Sequence, residues 1–148
     1  MARYIVAAVV ACACSTKHAA PHKAGCENTA RIDALAGGFV KHGASGRFDV
    51  KLISMAPVTP ARGDNAWVIE LDATSGAAIS GADIIVTPFM PDHGHGTPVK
   101  VGVTASATPG QYTLSPINLW MPGYWEISIA ATSGADHDAA VFELCIAS

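Results

Sequence analysis

No stretch of this chain is apolar for long enough to cross a bilayer as a helix, which takes about 20 residues. Charge is scarce as well: only 14% of the 148 residues are Asp, Glu, Lys or Arg, and the formal net charge is -3. That balance leaves no basic footprint for nucleic acid and no charged block to act as a tail. The fingerprints of common enzymes are missing too. There is no Gly-x-Ser-x-Gly elbow, no phosphate-binding glycine loop, no dinucleotide motif and no Cys-x-x-Cys pair. The acidic residues fall on turns and outward strand positions, with no apolar setting to raise a carboxyl pKa for acid–base work. The sequence therefore predicts a protein that is not an enzyme. Long helices are excluded by punctuation, because 14 Gly and 9 Pro interrupt the chain too often.

What is present begins with an export signal. Arg3 precedes the apolar run from Tyr4 to Ala11, at the lower edge of a signal-peptide core of roughly 7–15 residues. The run ends in Val9-Val10-Ala11-Cys12, which resembles a bacterial lipobox, with Cys12 as the lipid-bearing residue. A short buried strand is the competing reading of this run. The expected organisation is a signal peptide over 1–11, a tether and N-terminal arm over 12–46, and one domain over 47–148. The expected location is the periplasm or cell envelope, held by lipid. Ala13 is not the acidic residue often linked to inner-membrane retention, which favours the outer membrane mildly.

Cysteine arithmetic extends this picture. The set is Cys12, Cys14, Cys26 and Cys145. Cleavage before Cys14 would leave an even pair, but Ala11-Cys12-Ala13 is the poorer lipobox, so Cys12 is the better lipidation site. Export into an oxidising compartment then predicts a Cys26–Cys145 disulfide that pins the arm to the last strand. Two ordinary buried thiols are the alternative.

From Ser15 to Gly46 there is no clean periodicity; Lys17, His18, Pro21, His22 and Lys23 read as a solvated tether. Past Gly46 the pattern turns to period two. Phe48, Val50 and Leu52 alternate with polar residues, as do Trp67, Ile69 and Leu71, then Ala82, Ile84 and Val86, then Val99, Val101 and Val103. Tyr112 and Leu114, then Trp125, Ile127 and Ile129, and last Phe142, Leu144 and Ile146 continue it. Such alternation sends one face to a core and the other to solvent. Turn dipeptides such as Ser75-Gly76, Pro109-Gly110 and Ser133-Gly134 separate the runs. The expectation is an all-β, immunoglobulin-like antiparallel β-sandwich of about seven strands.

One connection is odd for a plain loop: Met90-Pro91-Asp92-His93-Gly94-His95-Gly96. It holds a thioether and two imidazoles, with glycines that let the backbone bend between them. Thioether with imidazole is the ligand set that favours copper, above all Cu(I), whereas imidazole alone suits zinc equally. Asp92 is a candidate ligand or imidazole-orienting partner. Met121, in the turn Met121-Pro122-Gly123, would complete the set if its strand is a neighbour; as an adaptable apolar residue it also suits a core. Trp120 and Tyr124 are candidate shields against water, and Met55 is an outside candidate as a further thioether. His18, His22, His42 and His137 are weaker, with surface positions as the default.

The segments Asn65-Ala66-Trp67-Val68-Ile69-Glu70-Leu71, Gly81-Ala82-Asp83, Met90 to Gly96 and Met121-Pro122-Gly123-Tyr124-Trp125-Glu126-Ile127 together resemble the YtkA-like domain. That family is related to the FixH-like proteins associated with cytochrome oxidase maturation. The resemblance runs from about Phe48 to Ile146. It implies an extracytoplasmic β-sandwich with a role in copper handling, its motif residues falling on Met90, His93, His95 and Met121. FixH-like proteins carry a membrane-spanning helix, whereas this chain shows only a short leader, so a direct partnership with a membrane oxidase does not carry over. The leading expectation is a copper carrier that hands Cu(I) to an acceptor protein, touches the membrane through its lipid alone and binds no nucleic acid. The alternative is a metal-free interaction module of the cell envelope.

Overall fold

The alternation seen in the sequence becomes two antiparallel sheets packed face to face. The computed structural model describes Cys26 and residues 31–147. The expected signal peptide, lipidation at Cys12, Cys14 and the tether histidines His18 and His22 lie outside the described residues. The strands are β1 (Val40–His42), β2 (Phe48–Ala56), β3 (Gly63–Ala73), β4 (Asp83–Met90), β5 (His95–Gly96), β6 (Gly102–Ala105), β7 (Gln111–Leu119), β8 (Gly123–Ser133) and β9 (Asp136–Ile146). One sheet has the order β1-β2-β3-β7-β6 and the other β5-β4-β8-β9. The chain therefore changes sheet between β3 and β4, between β5 and β6, and between β7 and β8.

Strand β8 shows how the pattern folds. Trp125, Ile127, Ile129 and Ala131 are buried, while Glu126, Ser128 and Ala130 between them are only partly covered. Facing them from the other sheet are Leu52, Trp67, Ile69, Leu71, Leu114 and Ile117, also buried. Trp67 meets Phe142 of β9 edge to face, with centroids 5.5 Å apart, a favoured aromatic geometry. Burial of these side chains is the main force holding the sheets together.

The described residues form nine strands where about seven were expected. The additions are β1 and β5, of 3 and 2 residues, too short to leave a periodic signature. The run from Val99 to Val103 is shorter than expected: Val99 is 37% exposed and pairing begins only at Gly102. The arm is packed too: within the expected tether and N-terminal arm over 12–46, residues 31–46 lie against the sandwich. Leu35 and Phe39 pack on the core, β1 pairs with β2, and the Asp33 N–H donates to the Glu143 carbonyl at 2.8 Å. These apolar residues sit four apart without alternation, so no period announced them. Cys26 is buried and forms a disulfide with Cys145 of β9, with Cα atoms 5.9 Å apart.

A buried carboxylate closes the loop that leads into β2. Asp138 is 3% exposed and accepts N–H bonds of 2.8 Å from Ser45, Arg47 and Ala139. Burial pushes its pKa up, but the backbone donors of Arg47, Ser45, Ala139 and Phe48 outweigh it and hold the carboxyl below its ordinary value. Because the folded pKa is depressed, this stabilisation is complete above the unfolded value near 4 and is lost as pH falls through the folded one. Asp138→Asn is expected to cost about 2 kcal/mol at pH 7. Urea midpoints at pH 7 and at pH 3 check it: the gap between variant and wild type should narrow in acid, and an unchanged gap would contradict the assignment.

Candidate metal centre

Strand β4 runs out at the end of the sandwich where β8 begins, since Phe89 pairs with Glu126. There the chain turns back on itself. The N–H groups of His93 and Gly94 both reach the Met90 carbonyl, at 3.2 and 2.9 Å. Gly94 has φ +68°, a conformation that costs glycine nothing and other residues strain. The return strand β5 then pairs Met90 with His95 and Phe89 with Gly96.

Directly opposite residues of an antiparallel pair share a face, with Cβ atoms about 4.5–5.5 Å apart. Met90 is fully buried on the inner face, so His95 lies beside it on that face, half-buried at the rim. The His93 and His95 rings have centroids 5.6 Å apart, inclined by 55°. Three of the four candidate positions are thus gathered on one hairpin.

Met121 sits in the β7–β8 connection, half-buried against the core, and follows Trp120, whose indole stacks on His95 at 5.5 Å and 26°. Its backbone is held firmly. The buried Trp125 donates its indole N–H to the Met121 carbonyl at 3.0 Å, and Arg62 Nε donates to the Trp120 carbonyl at 2.8 Å. On the other flank Thr97 Oγ1 lies 3.4 Å from Asn118 Oδ1 of β7, joining the end of β5 to the opposite sheet. Met55, the outside candidate, is a buried core residue paired with Trp67.

The Nδ1 of His95 lies 3.1 Å from the Gly96 carbonyl, which can only accept; that contact favours the tautomer with the proton on Nδ1, which would leave Nε2 to face a metal.

One expected helper is elsewhere. Tyr124 belongs to the outer face, because it precedes the inward-facing Trp125 and strands alternate. Its hydroxyl donates to Glu143 at 2.6 Å and Arg31 lies over its ring at 5.1 Å. Burial, then the Glu143 bond, raise its pKa far above the usual phenol value. It cannot shield the histidine loop. Asp92 is exposed on the turn, and among the described residues no three His, Cys, Asp or Glu side chains are grouped so as to hold a metal. Any third protein donor beside His93 and His95 would have to come from outside those residue types, as a thioether would. His42 pairs with Asp49 at 2.7 Å and His137 sits by the β8–β9 turn, both apart from the loop.

Sequence reasoning missed Gly96. A Cβ there would lie 2.5 Å from the Pro88 carbonyl oxygen, so β5 approaches β4 only because this residue has no side chain. The anchoring roles of Arg62 and Trp125 were equally hidden: Arg62 reaches the Trp120 carbonyl from just before β3, which pairs with β7, and Trp125 reaches back four residues to the Met121 carbonyl.

Comparison with known proteins adds one finding. No curated protein and no solved structure matches the chain, but the family model described as YtkA-like matches residues 43–130. The matched span runs from the turn before β2 into β8 and contains Met90, His93, His95 and Met121, more than half of the chain; this protein belongs to the YtkA-like family.

Proposed function

We propose that this is an extracytoplasmic copper-handling protein, lipid-anchored through Cys12, that carries Cu(I) on Met90, His93, His95 and Met121 and passes it to an acceptor protein. The supporting observation is the hairpin register that sets a buried thioether, Met90, beside a half-buried imidazole, His95, with a second imidazole 5.6 Å away. Soft sulfur with imidazole, and no carboxylate in the group, is the donor chemistry of Cu(I) rather than of zinc or of hard cations. Met90 is already dry, so binding through its sulfur needs little further desolvation. The rim position of His93 and His95 suits ligand-by-ligand exchange with an acceptor, and nothing in the donor set calls for acid–base or redox catalysis. A carrier needs no substrate cleft.

The test is a Cu(I) competition titration against a chromophoric chelator, anaerobic and reducing, on the domain from Cys26 onward. One-to-one binding is expected, weakened about tenfold or more in Met90→Leu, His93→Ala and Met121→Leu. Failure of the unmodified domain to compete would retire the copper reading. The loop would then be a metal-free docking element, a role that the exposed Phe89, Val99 and Trp120 around it would serve.

A further inference from the structure

We propose that Trp120 is a lid that determines the metal preference of this site, favouring a soft monovalent ion over Zn(II); the proposal rests on the metal-binding reading above. The chain has three tryptophans. Trp67 and Trp125 are completely buried, whereas Trp120 is 41% exposed. A large apolar ring left half in water is held by what it still touches, and that includes the imidazole of His95, stacked at 5.5 Å and 26°. The main chain beneath the ring is fixed at two successive carbonyls, by Arg62 and by Trp125. With those carbonyls hydrogen-bonded, opening of the lid would come from rotation of the Trp120 side chain itself.

Orientation gives this stack a chemical meaning. With Nδ1 turned to the Gly96 carbonyl, the nitrogen that His95 would offer a metal is Nε2, whose lone pair lies in the plane of the imidazole. With the indole inclined by only 26° to that plane, the indole would turn its face rather than its edge toward the plane in which an ion on Nε2 is held. The face of an indole is negative and attracts a cation, but it offers no lone pair and displaces water. An ion content with few soft ligands keeps its binding under such a cover. Zinc, which fills a tetrahedron with N, O or S donors or water, loses a position. Trp120 therefore acts through what it excludes, and opening of the ring sets the release rate.

The experiment compares wild type, Trp120→Ala and Trp120→Phe in separate Cu(I) and Zn(II) competition titrations, with tryptophan emission followed in parallel. Because the other two indoles are fully buried, acrylamide quenching of the apo-protein reports on Trp120, and Cu(I) should quench that same accessible component. Cu(I) binding is expected to weaken about tenfold in Trp120→Ala, chiefly through faster dissociation, and less in Trp120→Phe. Zn(II) binding should stay level or tighten. Equal losses for both ions would show a merely structural role and overturn the proposal, as would unaltered Cu(I) binding in Trp120→Ala. A wild-type protein that binds no Cu(I) would instead remove the metal reading, and the lid with it.

Discussion

Loss of the Cys26–Cys145 bond is expected to destabilise the domain by about 4–5 kcal/mol, the chain-entropy value for a closed loop of this length. The two cysteines are 119 residues apart, so the bond restricts nearly the whole unfolded chain. Its place in the fold adds a local effect. Cys145 lies on β9 opposite Tyr124, and the arm that leads from Cys26 holds the edge of that sheet. Asp33 accepts from the Glu143 N–H at 2.8 Å, Lys41 reaches Asp33 at 2.7 Å, and Arg31 reaches Glu126 at 3.1 Å. The Arg31 pair is half in water and contributes little by itself. The arm stays docked because the covalent bond keeps it at high local concentration. A domain of this size has only about 5–15 kcal/mol to lose, so the reduced protein should be marginal at physiological temperature. Urea unfolding with and without reductant, beside the Cys26→Ser/Cys145→Ser double variant, measures the difference. The two routes should agree, and a shift below about 1 kcal/mol would mean that the unfolded chain is compact enough to make the bond redundant.

The sandwich was legible in the sequence because its strands are long enough to repeat. Eleven-residue strands such as β3 and β8 show inward Trp, Ile and Leu at every second position, and no other structure uses that period. Legibility failed where order depends on distant partners. The segment from Arg31 to Phe39 has no period, and it is placed by hydrogen bonds to β9 more than a hundred positions later. The site followed the same rule. Met90, His93 and His95 stood out because the ligand types are local. That Met90 and His95 share a face is a matter of register, fixed by a two-residue strand no pattern could reveal. Tyr124 was misassigned as a shield because nearness in sequence to Met121 says nothing about which face a strand residue takes. One position of alternation sends it to the far side of the sheet, to Arg31 and Glu143.

Gly96→Ala should weaken Cu(I) binding by about 100-fold while leaving the sandwich folded, at the upper end of what losing a ligand-positioning residue costs. The added Cβ would meet the Pro88 carbonyl oxygen at 2.5 Å. That oxygen cannot retreat, because Pro88 is held in β4 opposite Ile127 of β8. The two-residue β5 must lift instead, and Met90 then loses its pairing with His95. Both imidazoles shift together, since His93 lies on the turn that β5 terminates. Global stability should change by less than about 1 kcal/mol, because β5 is an edge strand with few contacts to lose. Gly94→Ala provides the contrast. Its φ of +68° makes alanine strained, but nothing lies within 4 Å of the new methyl, so the penalty is about 1 kcal/mol and local. Its Cu(I) binding should fall only severalfold. The same competition titration on both variants, with thermal melts as the folding control, separates steric displacement from general loop strain. Equal losses in the two would place the ligands on a flexible loop, and Gly96→Ala binding like wild type would show that the β4–β5 register does not hold them.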